Sequence, residues 1–511
     1  MPDHQPVLSR RQAQRGQALV LASVSLLLLA LMMALSFNLS HALRGKTRLQ
    51  QHSDALAYSM ATIEARSFNY FAVSNRAIAA SYVAMNSMHA SMAAASVTVD
   101  MLRAGSSNFN TIAGLEALMC SHNSHCGHAI EARRISSKFS QKASEQARKV
   151  RDLDDKFTKT VRALDGMMND LHASQHSVYT QTSEVLSSGS AHELAQLQKI
   201  NAPEANALNE QVGQLNADEF ACAIDGMPCR VPGRPEDTPI RVRAREMDII
   251  SNASRTDGIA GRDGAAIPSY FHPRFLSEVT HEIQGVGISL ITNHKGTAKT
   301  VERRGDGPLD EGANLDNSGL VSSAHEHGTL FSFGRHGLFA SHKYKAFIAS
   351  DKDGGEHTTG HSGSHDQFKG IETQEMMACA NQGNCFMKFR ADSNPAKEFG
   401  QPPVYSYVTQ QLRDSDKRRA PWQLNDSARF KLSFGPDTEA TLDLAAGEGA
   451  GLSKALVYYH RLGAWQEPPN LFNPFWRAKL HPFPPAEAAL VLDKAGNPDA
   501  ARLAATERLA L

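Results

Sequence analysis

A long apolar run near the N-terminus is the feature that most constrains this chain. The run extends from Ala18 to Leu35, is interrupted only by Ser23 and Ser25, and continues through Phe37. A helix over this run is about long enough to cross a bilayer. We therefore expect the rest of the chain to be placed by the direction in which this helix points.

Two other interpretations of the run stay open. A secretory signal peptide would have a shorter apolar region of roughly 7–15 residues, followed by a small-x-small site such as Ser40-His41-Ala42. A buried core helix is the third interpretation. The flanking charges do not decide the orientation, because the basic residues before the run are balanced by those after it. These residues are Arg10, Arg11 and Arg15 before the run, and Arg44, Lys46 and Arg48 after it.

The cysteines indicate an oxidising compartment. All six follow the apolar run and form three close pairs, Cys120/Cys126, Cys222/Cys229 and Cys379/Cys385. Local disulfides are the most economical connectivity, and such bonds persist in exported proteins. Zinc is the rival ligand, but five or six residues separate the partners, whereas zinc knuckles have two to four. We therefore expect the bulk of the chain in the periplasm or outside the cell.

Two segments flank the apolar run in a recognisable pattern: the run from Arg15 through Gly16 and Gln17 to Val20, and the Leu-Gln-Gln-His-Ser-Asp-Ala-Leu-Ala run at 49–57. With these segments, the N-terminal region resembles the TadE/TadG-like proteins of the Flp, or tight-adherence, pilus assembly system of bacteria. Processed members of the family are cleaved after the glycine, which here is the bond between Gly16 and Gln17. Leu21 stands where processed pilins usually have glutamate, and the Asp-x-Ser-x-Ser metal motif of some members does not occur.

The resemblance implies a single-pass protein of the bacterial inner membrane. Its implied partners are the membrane itself and other pilin-like or pilus-assembly proteins that pack against the helix, including further copies of this chain. Nucleic acid is not an expected partner, because 53 basic and 53 acidic residues balance and the isoelectric point lies near 7.4.

Helical periodicity continues well past the apolar run. The spacing predicts a helix from Leu43 to Leu102 that ends at a polar interruption near Gly105, and a further helical region from 129 to 215. Heptad spacing in the second region predicts a coiled-coil-like seam. Its members are Val150, Phe157, Leu164, Leu171, Val178 and Val185.

The remainder predicts an α+β head. From 216 to 400 the chain is rich in Gly, Asp, Asn, His and Ser, and short apolar alternations replace the helical period. Strands are predicted at 286–291, 329–333, 344–348, 404–408, 428–434 and 455–459, with a helix at 273–284 and a terminal helix from 485 that is interrupted at 496–498. The aromatic segment from Trp465 to Leu480 either binds a partner or packs back onto the head.

Together these patterns predict five regions. They are a cytoplasmic start (1–15), a transmembrane helix (16–42), a helical stalk or coiled-coil bundle (43–215), an α+β periplasmic head with long polar loops (216–400), and the C-terminal part of that head with its terminal helix (401–511). The predicted function is a non-catalytic pilin-like or scaffolding component of Tad-type pilus assembly or a related secretion apparatus, with no cofactor.

A histidine-rich region supplies the alternative function. His357, His361 and His365 are spaced by four, which on a helix would align three imidazoles for a metal. Gly and Thr between them are poor helix formers and favour a solvated loop. The alternative is an anchored periplasmic metal-binding protein or hydrolase that uses the histidines from His325 to His365. Near the first cysteine pair, His122, His125 and His128 leave the same choice between a metal and a disulfide-closed turn.

Overall fold

The computed structural model of this protein is a mixed helix and sheet (α+β) structure. It describes residues 8–118, 120, 123–238, 288–294, 298–304, 307–308, 320–326, 329–335, 343–348, 386–411, 429–433, 439–443, 448–463 and 466–506. The helices are α1 (Leu8–Leu118), α2 (Asn123–Ser188), α3 (His192–Asn201), α4 (Glu210–Ala223), α5 (Pro485–Lys494) and α6 (Pro498–Ala505). The strands are β1 (Ile224–Asp225), β2 (Ile288–His294), β3 (Ala298–Arg304), β4 (Gly307–Pro308), β5 (Leu320–Glu326), β6 (Thr329–Arg335), β7 (Lys343–Ile348), β8 (Lys388–Phe389), β9 (Pro403–Gln411), β10 (Arg429–Ser433), β11 (Glu439–Asp443), β12 (Glu448–Tyr459) and β13 (Trp476–Leu480).

Helix α1 extends further than its sequence predicts. It continues without a break to Leu118, so the predicted end near Gly105 is wrong. A glycine in a helix costs only about 1 kcal/mol. Packing against α2 offsets that cost, because the Phe109 and Phe139 rings stack with centroids 5.6 Å apart and Ser106 and Ser136 exchange hydrogen bonds of 2.8–3.0 Å.

The chain divides into two compact units, each built from separate segments. The first unit contains residues 1–70, 177–236 and 388–511, and the second contains residues 71–176 and 237–387.

The first unit is built on a three-stranded antiparallel sheet with the order β13-β12-β9. Helix α1 lies on one face, where Ser53 Oγ contacts Ser406 on β9 and Phe68 packs against Trp476 with ring centroids 4.7 Å apart. Helices α5 and α6 lie on the other face, where Tyr405 and Tyr407 extend toward Glu487 and Asn497. The sheet is therefore covered on both sides, which explains why β9 is buried from Pro403 to Val408.

Asparagine side chains form hydrogen bonds with outward-facing backbone groups at both edges of this sheet. On β9, Asn216 of α4 donates to Tyr405 O and accepts from Tyr405 N, both at 2.8 Å. On β13, Asn69 of α1 makes the same pair of bonds to Trp476 N and O, both at 3.0 Å. Each amide takes the place of one residue of an additional strand.

The same device occurs in the second unit. Asn75 donates to Met387 O at 2.7 Å and accepts from Met387 N at 3.2 Å. Gln175 of α2 donates to Asn75 Oδ1 and to Ser74 Oγ, at 2.8 and 2.7 Å. Residues 71–118 of α1 and 123–176 of α2 form an antiparallel helical hairpin there, accompanied by the sheets β2-β6-β7 and β4-β3-β5.

The predicted coiled-coil seam is not confirmed. Val150 is buried, but Leu164, Leu171 and Val178 are only half-buried. The most buried positions in this part of α2 are mostly polar: Asp165, Met168, His172, Gln175, Thr182 and Leu186. A period drawn from apolar residues misses these positions because most of them are polar. Thr182, for example, pairs with Ser67 of α1 at 2.6 Å.

Most predicted strands are confirmed in position. Strands β2, β6, β7, β9, β10 and β12 overlap the six predicted strand segments, and α5 and α6 flank the predicted interruption at 496–498. The predicted helix at 273–284 lies outside the described residues. Within the described ranges, no helix combines the length and the apolarity that crossing a membrane requires.

Replacing the edge asparagine on β9 tests the role of these amides. We expect Asn216→Ala to lower the free energy of unfolding by about 2–4 kcal/mol, because it leaves the buried N–H and C=O of Tyr405 without partners. Asn206→Ala is the matched control, because its exposed amide contacts only the Thr409 hydroxyl; we expect a loss below about 1 kcal/mol. Urea denaturation of the full chain measures both, and equal losses would contradict the assigned role.

Candidate functional site

The structure describes some of the predicted site residues. Gly16 and Gln17 lie inside α1, where their backbone is helical. Two cysteine pairs are disulfides as predicted, Cys120–Cys126 and Cys222–Cys229. Four groups lie outside the described residues: Cys379, Cys385, the His357-His361-His365 triplet and the side chains of the histidines beside Cys126.

The environment of α1 changes sharply along its length. Large apolar side chains are exposed from Leu19 (74%) to Phe37 (65%), including Leu26 (69%) and Met32 (70%). Beyond Leu43 the same helix enters the first unit. Its buried apolar side chains there are Leu49, Leu56, Ala57, Met60, Ala61, Ala65 and Phe68. One helix therefore presents an apolar surface to its surroundings and then becomes the core of a folded unit.

Polar contacts hold the helix to the sheet where this change occurs. Lys46 Nζ donates to Ala450 O, and Gln50 Nε2 donates to Leu452 O at 2.8 Å. Ser453 Oγ donates to the Asp54 carboxylate. Two of these contacts bind backbone carbonyls near the start of β12 and the third binds the Ser453 side chain, so together they fix the position of β12 along α1.

Gly451 allows this close approach. A Cβ at this position would lie 2.8 Å from Leu49 O and 3.0 Å from the Ser53 Cβ, both closer than ordinary packing permits. Since one of these atoms belongs to the helix backbone, neither partner can yield without moving the element. Only glycine lets β12 lie directly on α1 at this point.

A buried charge cluster lies deeper in the first unit. We define it as Glu64 of α1, Glu219 of α4, Arg234, Tyr405 of β9, Lys454 of β12 and Glu487 of α5. Arg234 pairs with Glu219, and Lys454 Nζ contacts Glu487 Oε2 at 2.6 Å. Tyr405 donates its hydroxyl to Glu487. Five secondary-structure elements thus meet through charged and polar side chains.

Glu64 is the unusual member of this cluster. Its side chain is completely buried, and neither carboxyl oxygen has a hydrogen-bond partner within the part of the chain that is described. Burial raises the pKa of Glu64 well above its ordinary value, repulsion from Glu219 adds to the rise, and Arg234 partly opposes it. A protonated Glu64 leaves two carboxylates beside two cations, so the cluster is then balanced in charge.

Glu219 and Tyr405 of the cluster also have shifted pKa values. Burial raises the pKa of Glu219, although its pairing with Arg234 opposes the rise. Burial and the neighbouring Glu487 and Glu219 carboxylates raise the pKa of the Tyr405 hydroxyl well above its usual value. Tyr405 therefore stays protonated and remains a donor. The cluster joins elements that are distant in sequence.

The Cys222–Cys229 disulfide closes the loop that leads to Arg234. Arg390 donates from Nη1 to Cys222 O at 2.9 Å and from Nη2 to Met227 O at 3.0 Å, which holds the same loop from the side of β8. Strand β1 within the loop pairs with β8. A covalent bond and a buried guanidinium thus constrain the segment that supplies a cation to the cluster.

Comparison with family models, with curated proteins and with solved structures finds no match to this chain. Among the described residues, no three His, Cys, Asp or Glu side chains are grouped so as to hold a metal ion.

The charge cluster does not appear among the sequence-based predictions. Its one local signal is Glu64, a single acid at a position where the helical period of Leu56, Met60 and Phe68 places apolar residues. Its partners are 155 and more positions away (Glu64 to Glu219), and no spacing rule connects them.

The pH dependence of stability tests the assignment of Glu64. Because the folded pKa lies above the unfolded value of about 4.5, proton binding stabilises the fold fully below that pH, and the stabilisation is lost as pH rises through the folded pKa. Glu64→Gln cannot ionise. We therefore expect its melting temperature relative to wild type to rise progressively as pH increases from 4 to 8.

Glu184→Gln is the control, because Glu184 is an exposed acid on α2. Its melting temperature should track wild type across the same pH range. If the melting temperature of Glu64→Gln changed with pH in parallel with that of wild type, ionisation of Glu64 would not destabilise the fold, and the assignment would be contradicted.

Proposed function

We propose that this protein is a membrane-anchored, non-catalytic pilin-like or scaffolding component of Tad-type pilus assembly or a related secretion apparatus. The observation that carries the proposal is the division of α1 into an exposed apolar segment, Leu19 to Phe37, and a segment from Leu49 to Phe68 that forms the core of an α+β unit. Subunits that share this form insert the first segment in lipid and display the folded unit outside it.

The exposed apolar segment supports insertion. Soluble proteins rarely expose large contiguous apolar surfaces, and such surfaces mark contacts with membranes or other proteins. Here the bulky side chains occur all around the helix rather than on one stripe, since Leu26, Leu27, Leu28 and Leu29 are all exposed. A helix that is apolar all round is covered on every side, as lipid or surrounding helices would cover it.

The disulfides support an exported location. Cys120–Cys126 and Cys222–Cys229 are disulfides, and such bonds persist in oxidising compartments. We place the unit that contains Cys222–Cys229 in the periplasm and the residues before Gly16 in the cytoplasm. The resemblance of residues 10–65 to TadE/TadG-like proteins agrees with this orientation.

The same helix supplies the route to assembly. Its apolar segment is covered by lipid before assembly and by the equivalent segments of neighbouring subunits afterwards. When the helix moves from lipid into the assembly, the folded unit moves with it, because the Lys46, Gln50 and Asp54 contacts hold β12 to the helix.

Alkaline carbonate extraction of bacterial membranes tests the anchor. We expect the full chain to stay in the membrane pellet, and the Leu21→Lys/Leu28→Lys variant to enter the soluble fraction, because a charge at the centre of an inserted helix costs roughly 2.5–3.5 kcal/mol per lysine. The control is Ile130→Lys/Leu153→Lys, which places the same charges at exposed apolar positions of α2 and should stay in the pellet.

Extraction of the wild-type chain by carbonate would contradict the anchor. In the same samples, the N-terminal residue of the mature protein separates the two forms of the proposal. A chain that begins at Gln17 is a processed subunit, and one that begins at Met1 is a fixed scaffold.

A further inference from the structure

Among the described residues, no strand pairs with the outer edge of β13. In the pairing of β12 with β13, Trp476, Ala478 and Leu480 lie opposite Tyr459, Val457 and Ala455. The inter-strand bonds use the intervening residues and the flanking positions, as His460 N to Phe475 O and His481 N to Lys454 O show. The N–H and C=O groups of Trp476, Ala478 and Leu480 therefore point away from β12.

The two edges of the sheet differ in how these outward groups are satisfied. On β9, Tyr405 bonds to Asn216, Tyr407 O accepts from Asn209 N, and Thr409 O accepts from Asn206 N at 2.7 Å. On β13, Asn69 satisfies Trp476 alone. Within the described ranges, the backbone groups of Ala478 and Leu480 have no hydrogen-bond partner, and the Leu480 side chain is half exposed.

The open stretch has defined ends. The Asn69 amide occupies the position beside Trp476, and Pro482 follows at the next outward position, where it has no N–H to donate. Between them, two residues offer two donors and two acceptors in extended geometry. One extended backbone matches all four groups at once, whereas a side-chain amide satisfies those of a single residue.

The basic side chains on β13 determine which kind of strand can pair with its outer edge. Arg477 and Lys479 are exposed, and alternation places them on one face of β13, where Lys479 Nζ lies 4.9 Å from the Tyr458 ring centroid. If β13 paired with itself in a second copy around Ala478, Arg477 would lie opposite the partner's Lys479. Like charges directly opposite each other destabilise a strand pair, whereas acidic residues would stabilise it.

We propose that β13 is a docking site for an extended segment of a partner protein that adds a fourth strand to the sheet. The segment carries acidic residues at two alternating positions, opposite Arg477 and Lys479, and a small or apolar residue between them, opposite Ala478. The basic side chains also discourage indiscriminate edge pairing, so they select this partner strand. The inference stands on the first unit alone and does not depend on the membrane anchor.

Peptide binding to the full chain in mild detergent tests this proposal. The probe is a fluorescent peptide of about seven residues that alternates glutamate with valine, compared with its lysine-valine counterpart and with a backbone N-methylated version. We expect the glutamate peptide to bind, and the other two to bind at least about tenfold more weakly.

Ala478→Pro is the matched protein variant. It removes an outward N–H that no strand in the sheet uses, and proline is tolerated in edge strands on such a side. We expect about tenfold weaker binding of the glutamate peptide with an unchanged thermal melt. If this variant fails to fold, the N-methylated peptide on wild-type protein decides the question in its place.

Three results would overturn the proposal. They are no binding of the glutamate peptide, equal binding of the glutamate and N-methylated peptides, and self-association of the protein that Ala478→Pro abolishes. The last result would assign the edge to a second copy of this chain.

Discussion

The packing of α1 against the rest of the first unit is the interaction on which that unit depends. Leu49, Leu56, Met60 and Phe68 are almost completely buried there, and each such side chain stabilises the fold by about 1.5–3 kcal/mol. The sum, roughly 6–12 kcal/mol, is large enough to offset the burial of Glu64, an acid that has no hydrogen-bond partner among the described residues. The helix tolerates this acid because its apolar neighbours dominate.

Polar side chains then fix the positions of the strands relative to the helices, which apolar contacts alone do not specify. Three asparagines, Asn69, Asn75 and Asn216, each bind both backbone groups of one residue far away in sequence. Such bonds are directional, whereas apolar burial is not, so they specify which strand lies where. Asn69 satisfies only Trp476 on β13, so in the described part of the chain the outward backbone groups of Ala478 and Leu480 have no hydrogen-bond partner.

The sequence predicted those features that depend on local pattern. The strand segments, the interruption at 496–498 and two local disulfides are confirmed, because periodicity, Gly-Asn-Pro punctuation and cysteine spacing act within a few residues. The predicted end of α1 was wrong, because the contacts of Ser106 and Phe109 with α2 outweigh the free-energy cost of a glycine at position 105 in the helix. The charge cluster and the asparagine contacts join residues up to several hundred positions apart, and no local rule indicates such pairs. The buried stripe of α2 escaped prediction for another reason, because it is largely polar.

We propose that α1 serves two environments, an apolar one from Leu19 to Phe37 and a protein core from Leu49 to Phe68. Spin labels at Leu21, Leu28, Leu56 and Tyr58, introduced one at a time into the full chain in liposomes, measure this directly through collisions with oxygen and with a water-soluble nickel chelate. We expect that oxygen, but not the nickel chelate, reaches the labels at positions 21 and 28. Neither should reach the buried position 56, and the nickel chelate should reach the half-exposed position 58. Nickel accessibility at 21 and 28 equal to that at 58 would contradict this proposal.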